Sequence, residues 1–431
     1  MKKLSGLIFG IFLQACCLAQ ESFIDTVTGW FKEIKQVCHQ TRTLWNLDLH
    51  APILLVDPGS RQIYSNSPDS MGVLQKEGEI FTGILPPEIN IANTALEWSG
   101  LHWAMVMLPL PQGTTQRIHL IGHELFHRAQ KALGFTASNP DNNHLDKKDG
   151  RILLRLELEA LRKAVMSPTQ EELKRHISRA LQFRSIRYET FFGSASSENQ
   201  MELNEGLAEF TGFMFSGRKS FDARKYFSDR IRSFMNTGSF TRSFAYEMIP
   251  VYGFLLNPDK KGWNLGIRPS TNFIDYFRNA FGVPSEAGRR SSLPQIGRDY
   301  SYARILAEET ARETEFLQKT ALYSHRLIDT VHLEIPLINM SMSFDYTTQF
   351  SLNNEGTVYQ KIRITDEWGI LEAEEGALVN SNWSKVHVSC PLTTEGNTIT
   401  GQGWVLTLSE GFSIEKDPSG SGNYNIKKSG E

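Results

Sequence analysis

The spacing of apolar positions changes character three times along the chain. From Ser22 to Leu47, Phe23, Val27, Phe31, Ile34 and Val37 recur near helical spacing and predict an opening helix. The apolar run Ile53 to Val56 meets Asp57, Pro58 and Gly59 and returns through Ile63, which predicts a hairpin over Pro52 to Tyr64. Strand-like pieces follow and end with Trp103 to Leu108, just ahead of Pro109 and Pro111. From Thr114 the period is helical, loops apart, until about Val331. Thr114 or Thr115 is expected to cap a helix that runs to Leu133 and stops at Gly134. Arg151 to Val165 reads as a second helix, and Ser167, Pro168 and Gln170 read as the cap, first-turn proline and capping glutamine of a third. Ser197 with Gln200 opens another, which ends near Gly217. A loop from Gly282 to Gly297 precedes a long helix over about Tyr300 to Thr330. After Pro336 the period becomes two: Ile362 and Ile364 alternate with Lys361 and Arg363, and Trp404, Leu406 and Leu408 alternate with Val405 and Thr407. The tail after Pro418 is expected to fray. These periods predict an α+β chain: a leader over 1–19, a mixed helix and sheet lobe over 20–113, a helical lobe over 114–335, and a β-sandwich or barrel over 336–431.

Composition adds limits to this plan. A chain of 431 residues exceeds one minimal core and suits a large domain with one or two smaller ones. A net charge of -3 gives no sign of a basic surface for nucleic acid, so that partner class is set aside. Lys2 and Lys3 precede an apolar run from Leu4 to Leu13 and then small residues, the pattern of an export signal peptide cut after Ala19. Leu13, Gln14, Ala15 and Cys16 also resemble a bacterial lipoprotein box, which would put a lipid anchor on Cys16. Gln14 is unusual in such a box, and simple cleavage is the preferred reading. No later stretch approaches the roughly 20 apolar residues of a membrane helix. The expectation is an extracytoplasmic protein, periplasmic, secreted or tethered at its start. Cys38 and Cys390 either pair in that compartment or remain as buried thiols.

The sharpest chemical signal is His123-Glu124-Leu125-Phe126-His127, within the helix that starts near Thr114. A spacing of four puts both imidazoles on one face, one turn apart, where they can grip a single ion. Glu124 sits one residue round, placed to hold and deprotonate a water on the metal. Ile118, Ile121, Leu125, Phe126 and Ala129 make this a buried helix, in which His and Glu need partners.

A third ligand is expected from the segment Leu203 to Phe210. Glu198, Glu202, Glu205 and Glu209 recur along one side of one helix, a repulsion that a cation would reverse. Leu203, Leu207, Phe210 and Met214 argue for burial of Glu205 and Glu209, whereas Glu198 and Glu202 read as a solvated acidic face. Gly206 and Ala208 have almost no side chain and are expected to let this helix approach another closely. Two histidines, one carboxylate and an open fourth position suit a catalytic Zn2+ ion. Glu209, one turn beyond the ligand, can accept the free ring N–H of one zinc histidine.

HELFH followed by LNEGLAEF resembles the gluzincin branch of the zincin superfamily, which contains thermolysin-like and aminopeptidase N-like zinc metallopeptidases. The resemblance implies a zincin-like catalytic domain with His123, His127 and Glu205 on the metal, Glu124 as base and Glu209 facing His123. It implies a peptide or protein substrate and an oxyanion donor after the third ligand, with Tyr246 preferred over Tyr252. It also implies an edge strand before the zinc helix that pairs with the substrate, which puts Trp103, Ala104 and Met105 in contact with it. The Gly-Ala-Met-Glu-Asn motif of aminopeptidase N relatives is missing, which favours endopeptidase action.

The chain departs from the gluzincin pattern in one place, and it lacks the signature of the metzincin branch. The segment between His127 and Glu205 is longer than in either familiar group and carries extra helices from Arg151 to Tyr188. The metzincin positions after His127 hold Gln130 and Leu133. His144, Asp146 and Asp149 offer a rival third ligand, in a loop that reads better as a turn and helix cap. His119, one turn before His123, lines the cleft or serves in capping and packing. Two other functions suit the same residues: an inactive cell-surface binding or adhesion protein that works through its β domain, and a zinc hydrolase of a non-peptide amide or ester.

Overall fold

A computed structural model describes residues 23–428, apart from 259, 286–288, 346–347 and 353. The expected leader and Cys16 lie outside the described residues. The chain divides into two compact units, Met1–Glu309 and Thr310–Glu431. That division falls within the helix Tyr302–Ser324, earlier than the expected 335/336 boundary.

In the first unit, α1 runs over 23–41 and gives way to turns before Leu47. The expected hairpin forms from β1 (Ile53–Val56) and β2 (Gln62–Ser65), with Val56 opposite Ile63. Asp57 Oδ1 accepts from the backbone N–H of Gly59 at 3.1 Å and of Ser60 at 2.7 Å and so closes the turn. With β3 (Gln75–Glu77), β4 (Ile80–Ile84), β5 (Thr94–Trp98) and β6 (Leu101–Met107) these make one sheet of order β3-β4-β2-β1-β6-β5.

This order corrects one expectation. β6 is an interior strand, parallel to β1 on one side and antiparallel to β5 on the other. Trp103, Ala104 and Met105 are each 0 % exposed. A strand paired on both sides has no row of backbone groups to offer a peptide, so these residues do not form an edge. The edge strand on that side of the sheet is β5.

The helices are α2 (Thr114–Ala129), α3 (Lys148–Met166), α4 (Gln170–Thr190), α5 (Ser194–Met201), α6 (Leu207–Phe215), α7 (Ser220–Phe234), α8 (Ala245–Leu256) and α9 (Phe273–Phe281). Their ends differ from expectation by a few residues. Gly113, not a threonine, precedes α2, and α2 stops at Ala129 with turns before Gly134. α4 is capped by Thr169, whose hydroxyl accepts from Glu172 N at 3.2 Å, because Thr169 has the extended backbone that a cap needs. Ser167 turns back to Lys163 O at 2.9 Å and belongs to the end of α3. Between α5 and α6, Glu202–Gly206 form a π turn, so a single rod runs on from Ser194 to Phe215.

The second unit opens with the rest of the long helix and continues as strands from His332–Pro336 to Tyr424–Lys428. A seven-stranded and a six-stranded sheet share one core, with Leu333, Ile335, Val386 and Val388 from the first and Ile364, Leu371, Leu406 and Leu408 from the second. This is the sandwich rather than the barrel. The alternation holds: Trp404, Leu406 and Leu408 are buried while Val405 and Thr407 are exposed. The tail does not fray where expected, because Tyr424–Lys428 pairs with Phe412–Lys416 and with His332–Pro336. Cys38 and Cys390 are free thiols. No described helix is long and apolar enough to cross a membrane.

Candidate metal centre

The centre is built where α2 lies along α6. Two glycines permit the close approach: a Cβ on Gly212 would stand 2.4 Å from His119 O, and one on Gly122 would stand 2.8 Å from the Phe215 ring. Gly206, the expected point of approach, faces α8 instead, where a Cβ would stand 2.5 Å from Ile249 Cγ1. Across the α2 and α6 contact, His123 Nε2, His127 Nε2 and Glu205 Oε2 converge. The two nitrogens are 2.9 Å apart, and the carboxylate oxygen is 3.5 Å from His123 and 3.3 Å from His127. Around a tetrahedral zinc with bonds of about 2.0–2.2 Å, neighbouring ligand atoms stand roughly 3.4 Å apart. One ion can therefore bridge all three with little adjustment. Among the described residues this is the one group of His, Cys, Asp and Glu side chains gathered in this way.

Hydrogen bonds behind the ligands set their protonation. His123 Nδ1 lies 3.0 Å from Glu209 Oε2, and His127 Nδ1 lies 3.0 Å from Gln130 Oε1. Gln130 Nε2 donates to the Asn204 carbonyl at 3.1 Å, which settles which end of the amide faces His127. Both partners of the imidazoles are acceptors, so each Nδ1 carries the hydrogen and each Nε2 turns a lone pair inward. Two lone pairs and a carboxylate facing one another require a cation, a proton or a metal. Burial alone would pull the His123 imidazole down, yet Glu205 and Glu209 outweigh it and hold its pKa up at about 10. Burial would likewise raise Glu205, but His123 and His127 beside it hold its carboxyl well below the usual range.

Each remaining member has a defined place. Glu205 Oε1 accepts from Asn204 Nδ2 at 3.1 Å, and Oε2 accepts from the Tyr246 hydroxyl at 2.5 Å. The Tyr246 ring stacks on His123 with centroids 5.4 Å apart, and burial together with Glu205 pushes its phenol upward. Tyr252 is fully buried and donates to Glu157 Oε1 at 2.9 Å, away from the cleft. Glu209 Oε1 lies 2.9 Å from His119 Nε2 and accepts from Arg230 Nη1 at 2.6 Å. His119 therefore both lines the cleft and steadies Glu209. Glu124 is 3 % exposed, and its Oε2 has no hydrogen-bond partner. Burial holds its carboxyl above the usual range, against the pull of His123 and His127.

The rival ligands are occupied elsewhere. His144 Nε2 lies 2.7 Å from Glu198, Asp146 accepts from Phe240 N at 2.8 Å, and Asp149 pairs with Arg290 at 2.5 Å. Glu198 and Glu202 overturn the expectation of a solvated face, since both are 0 % exposed. Arg184 grips Glu202 at 2.7 and 3.0 Å, and Arg187 grips Glu198 at 2.8 and 2.6 Å. The π turn separates this pair from Glu205 and Glu209. In an α-helix residues three apart lie about 60° apart round the axis, and i→i+5 bonding widens that to about 115°.

Sequence reasoning missed Gln130, Arg230 and β5. Gln130 had a signal, a polar residue three positions after His127 on a buried helix. Arg230, on a separate helix, had none. β5 was passed over because β6 is the more apolar run, although such a run marks a strand covered on both sides. The centre opens into a cleft of about 1060 Å³, lined among others by Thr94 and Ala95 of β5, Tyr246, Arg218 and Arg242. No family model, curated protein or solved structure matches the chain, so the reading of this centre rests on its own geometry.

Proposed function

We propose that the chain is a zinc-dependent peptidase on a zincin-like scaffold, exported from the cytoplasm, that cleaves within peptides. The observation that carries this reading is the convergence of His123 Nε2, His127 Nε2 and Glu205 Oε2 beside the unpartnered Glu124 Oε2, at the base of an open cleft. When bound, zinc supplies a Lewis acid that polarises the scissile carbonyl and lowers the pKa of a water. Glu124 would take a proton from the attacking water as its oxygen adds to the carbonyl carbon, and would return it to the amine as the C–N bond breaks. Tyr246, whose hydroxyl already stands beside the metal ligand Glu205, donates to the oxyanion as it forms. The outer edge of β5 offers backbone groups to an extended substrate strand.

The test combines metal analysis with cleavage of a quenched peptide library. Wild type is expected to hold one zinc per chain and to cleave. Glu124→Gln is expected to keep the metal and lose turnover by roughly 10²–10⁴-fold, and Glu205→Ala to lose the metal. Full turnover in Glu124→Gln, or zinc retained at full stoichiometry by Glu205→Ala, would overturn the assignment.

A further inference from the structure

Beyond the residues proposed to hold the metal, the cleft holds a guanidinium with no ion-pair contact among the described residues. Arg218 lies on the Tyr226 ring, 4.0 Å from its centroid. Its Nη1 donates to Ser216 Oγ at 2.8 Å and reaches His119 Nδ1 at 3.4 Å. The His119 tautomer agrees with this, because His119 Nε2 faces the carboxylate of Glu209 and Nδ1 is left to accept. Nη1 is thereby fixed, while Nε and Nη2 have no acceptor among the described residues, and no carboxylate there is in ion-pair contact with Arg218. That edge of the fork is the one that takes a carboxylate through two parallel hydrogen bonds. Stacking on Tyr226 holds the plane of the fork in advance, so little side-chain freedom is lost on binding.

The other charges of the cleft point the same way. Arg230 is neutralised by Glu209 and Glu247. Glu124, Glu205 and Glu209 are committed to the metal centre. Lys131 and Arg242 line the cleft, are exposed, and have no ion pair among the described residues. Among the described residues, three cations without an ion pair and carboxylates gathered only at the proposed metal centre make a cleft that attracts anionic chains. From Arg218 a chain of contacts runs through His119 and Glu209 to His123, so a carboxylate held there would lie within about five extended residues of the scissile bond.

We propose that the cleft selects acidic peptides, with Arg218 receiving a substrate carboxylate through its Nε and Nη2. The inference rests on the reading of the centre as a peptidase and names its substrate class. The carboxylate has two sources, an Asp or Glu side chain or a free C-terminus, and the test separates them.

The probes are one peptide scaffold with Glu, Gln or Lys walked through the positions flanking the cleaved bond, each with an amidated C-terminus. The Gln peptide is also made with a free C-terminus. Cleavage is read as kcat and KM, and binding is read by fluorescence anisotropy on zinc-loaded Glu124→Gln. Wild type is expected to prefer Glu over Gln at one position by about tenfold or more in kcat/KM, chiefly through KM. Arg218→Gln should bring that ratio close to one, Arg218→Lys should restore part of it, and Arg218→Glu should favour the Lys peptide. If the free C-terminus shows the preference and internal Glu does not, the carboxylate is terminal.

Equal cleavage of Glu and Gln peptides, with no preference for the free C-terminus either, overturns the inference and leaves the peptidase reading intact. So does a ratio that Arg218→Gln leaves unchanged, which marks Arg218 as merely structural. Arg218-dependent preference in binding with no cleavage by wild type sinks the peptidase reading and keeps the subsite. Equal binding of the Glu, Gln and free C-terminus peptides, or binding of none of them, overturns the subsite.

Discussion

Glu209 and Gln130 hold the ring N–H of His123 and of His127, at 3.0 Å in both cases. They touch no ligand position themselves, so their effect passes through the orientation and basicity of the imidazoles. Gln130→Ala and Glu209→Gln are each expected to weaken zinc by about 10–100-fold, measured by competition with a chromogenic chelator. Gln130→Glu, which keeps the acceptor, should recover most of the loss. Tyr246→Phe separates another role: it should leave zinc in place and lower kcat by about 10²–10³-fold with little change in KM. An equal fall in metal content would mean that Tyr246 serves only to hold Glu205.

Among the elements, the contact between α2 and α6 decides whether a metal site exists at all. Gly212→Ala drives a methyl into the backbone carbonyl of His119, which cannot move independently of its helix. The expected result is a loss of about 1–3 kcal/mol in denaturant unfolding, with zinc affinity falling alongside. The sheet carries its own prediction. Asp69 accepts from Ser99 Oγ at 2.6 Å and from the backbone N–H groups of Met71, Val73 and Leu74, tying the connection after β2 to the turn between β5 and β6. Burial alone would raise its carboxyl, but these four donors hold it down at about 2. The unfolded chain therefore binds that proton more readily than the native one, and the stabilisation present above the ordinary Asp pKa is lost as pH falls towards 2. Melting temperatures of wild type should drop more steeply than those of Asp69→Asn between pH 4 and 2. Parallel curves would remove Asp69 from the account. The same scale shows what was legible beforehand. HELFH is a local pattern on one helix, so the two imidazoles and Glu124 could be read directly. β5 could not, because edge or interior position depends on which strands come to lie alongside.

For the first unit as a whole, burial of charge is the dominant electrostatic fact. Glu157, Glu198 and Glu202 share Arg184 and Arg187 in a cluster with 0 % side-chain exposure that joins α3, α4, α5 and the π turn. Tyr252 on α8 also donates into it. Removing one cation leaves carboxylates uncompensated, so Arg184→Ala should cost about 3–5 kcal/mol and lower the melting temperature by on the order of 10 °C. A shift below a degree or two would mean that water enters and relieves the charge. The cluster was misread from sequence because carboxylates at helical spacing look alike whether they face solvent, a metal or two arginines from another helix. The partner decides, and it lies 18 residues away in the chain for Arg184 with Glu202 and 11 for Arg187 with Glu198.

By itself the sequence determined whatever depends on periodicity over a few residues: the α+β texture, the alternation of the C-terminal strands, and the pairing of His123 with His127 on one face of one helix. These follow from the 3.6- and 2-residue repeats of the backbone, which act before any distant contact is made. The tertiary structure alone decided which carboxylates met the two histidines and which met arginines, which strand took the edge, and which cations in the cleft had no ion pair among the described residues. Those outcomes depend on the π turn, on glycines at helix contacts and on sheet order, each of them settled only when segments remote in the chain pack together.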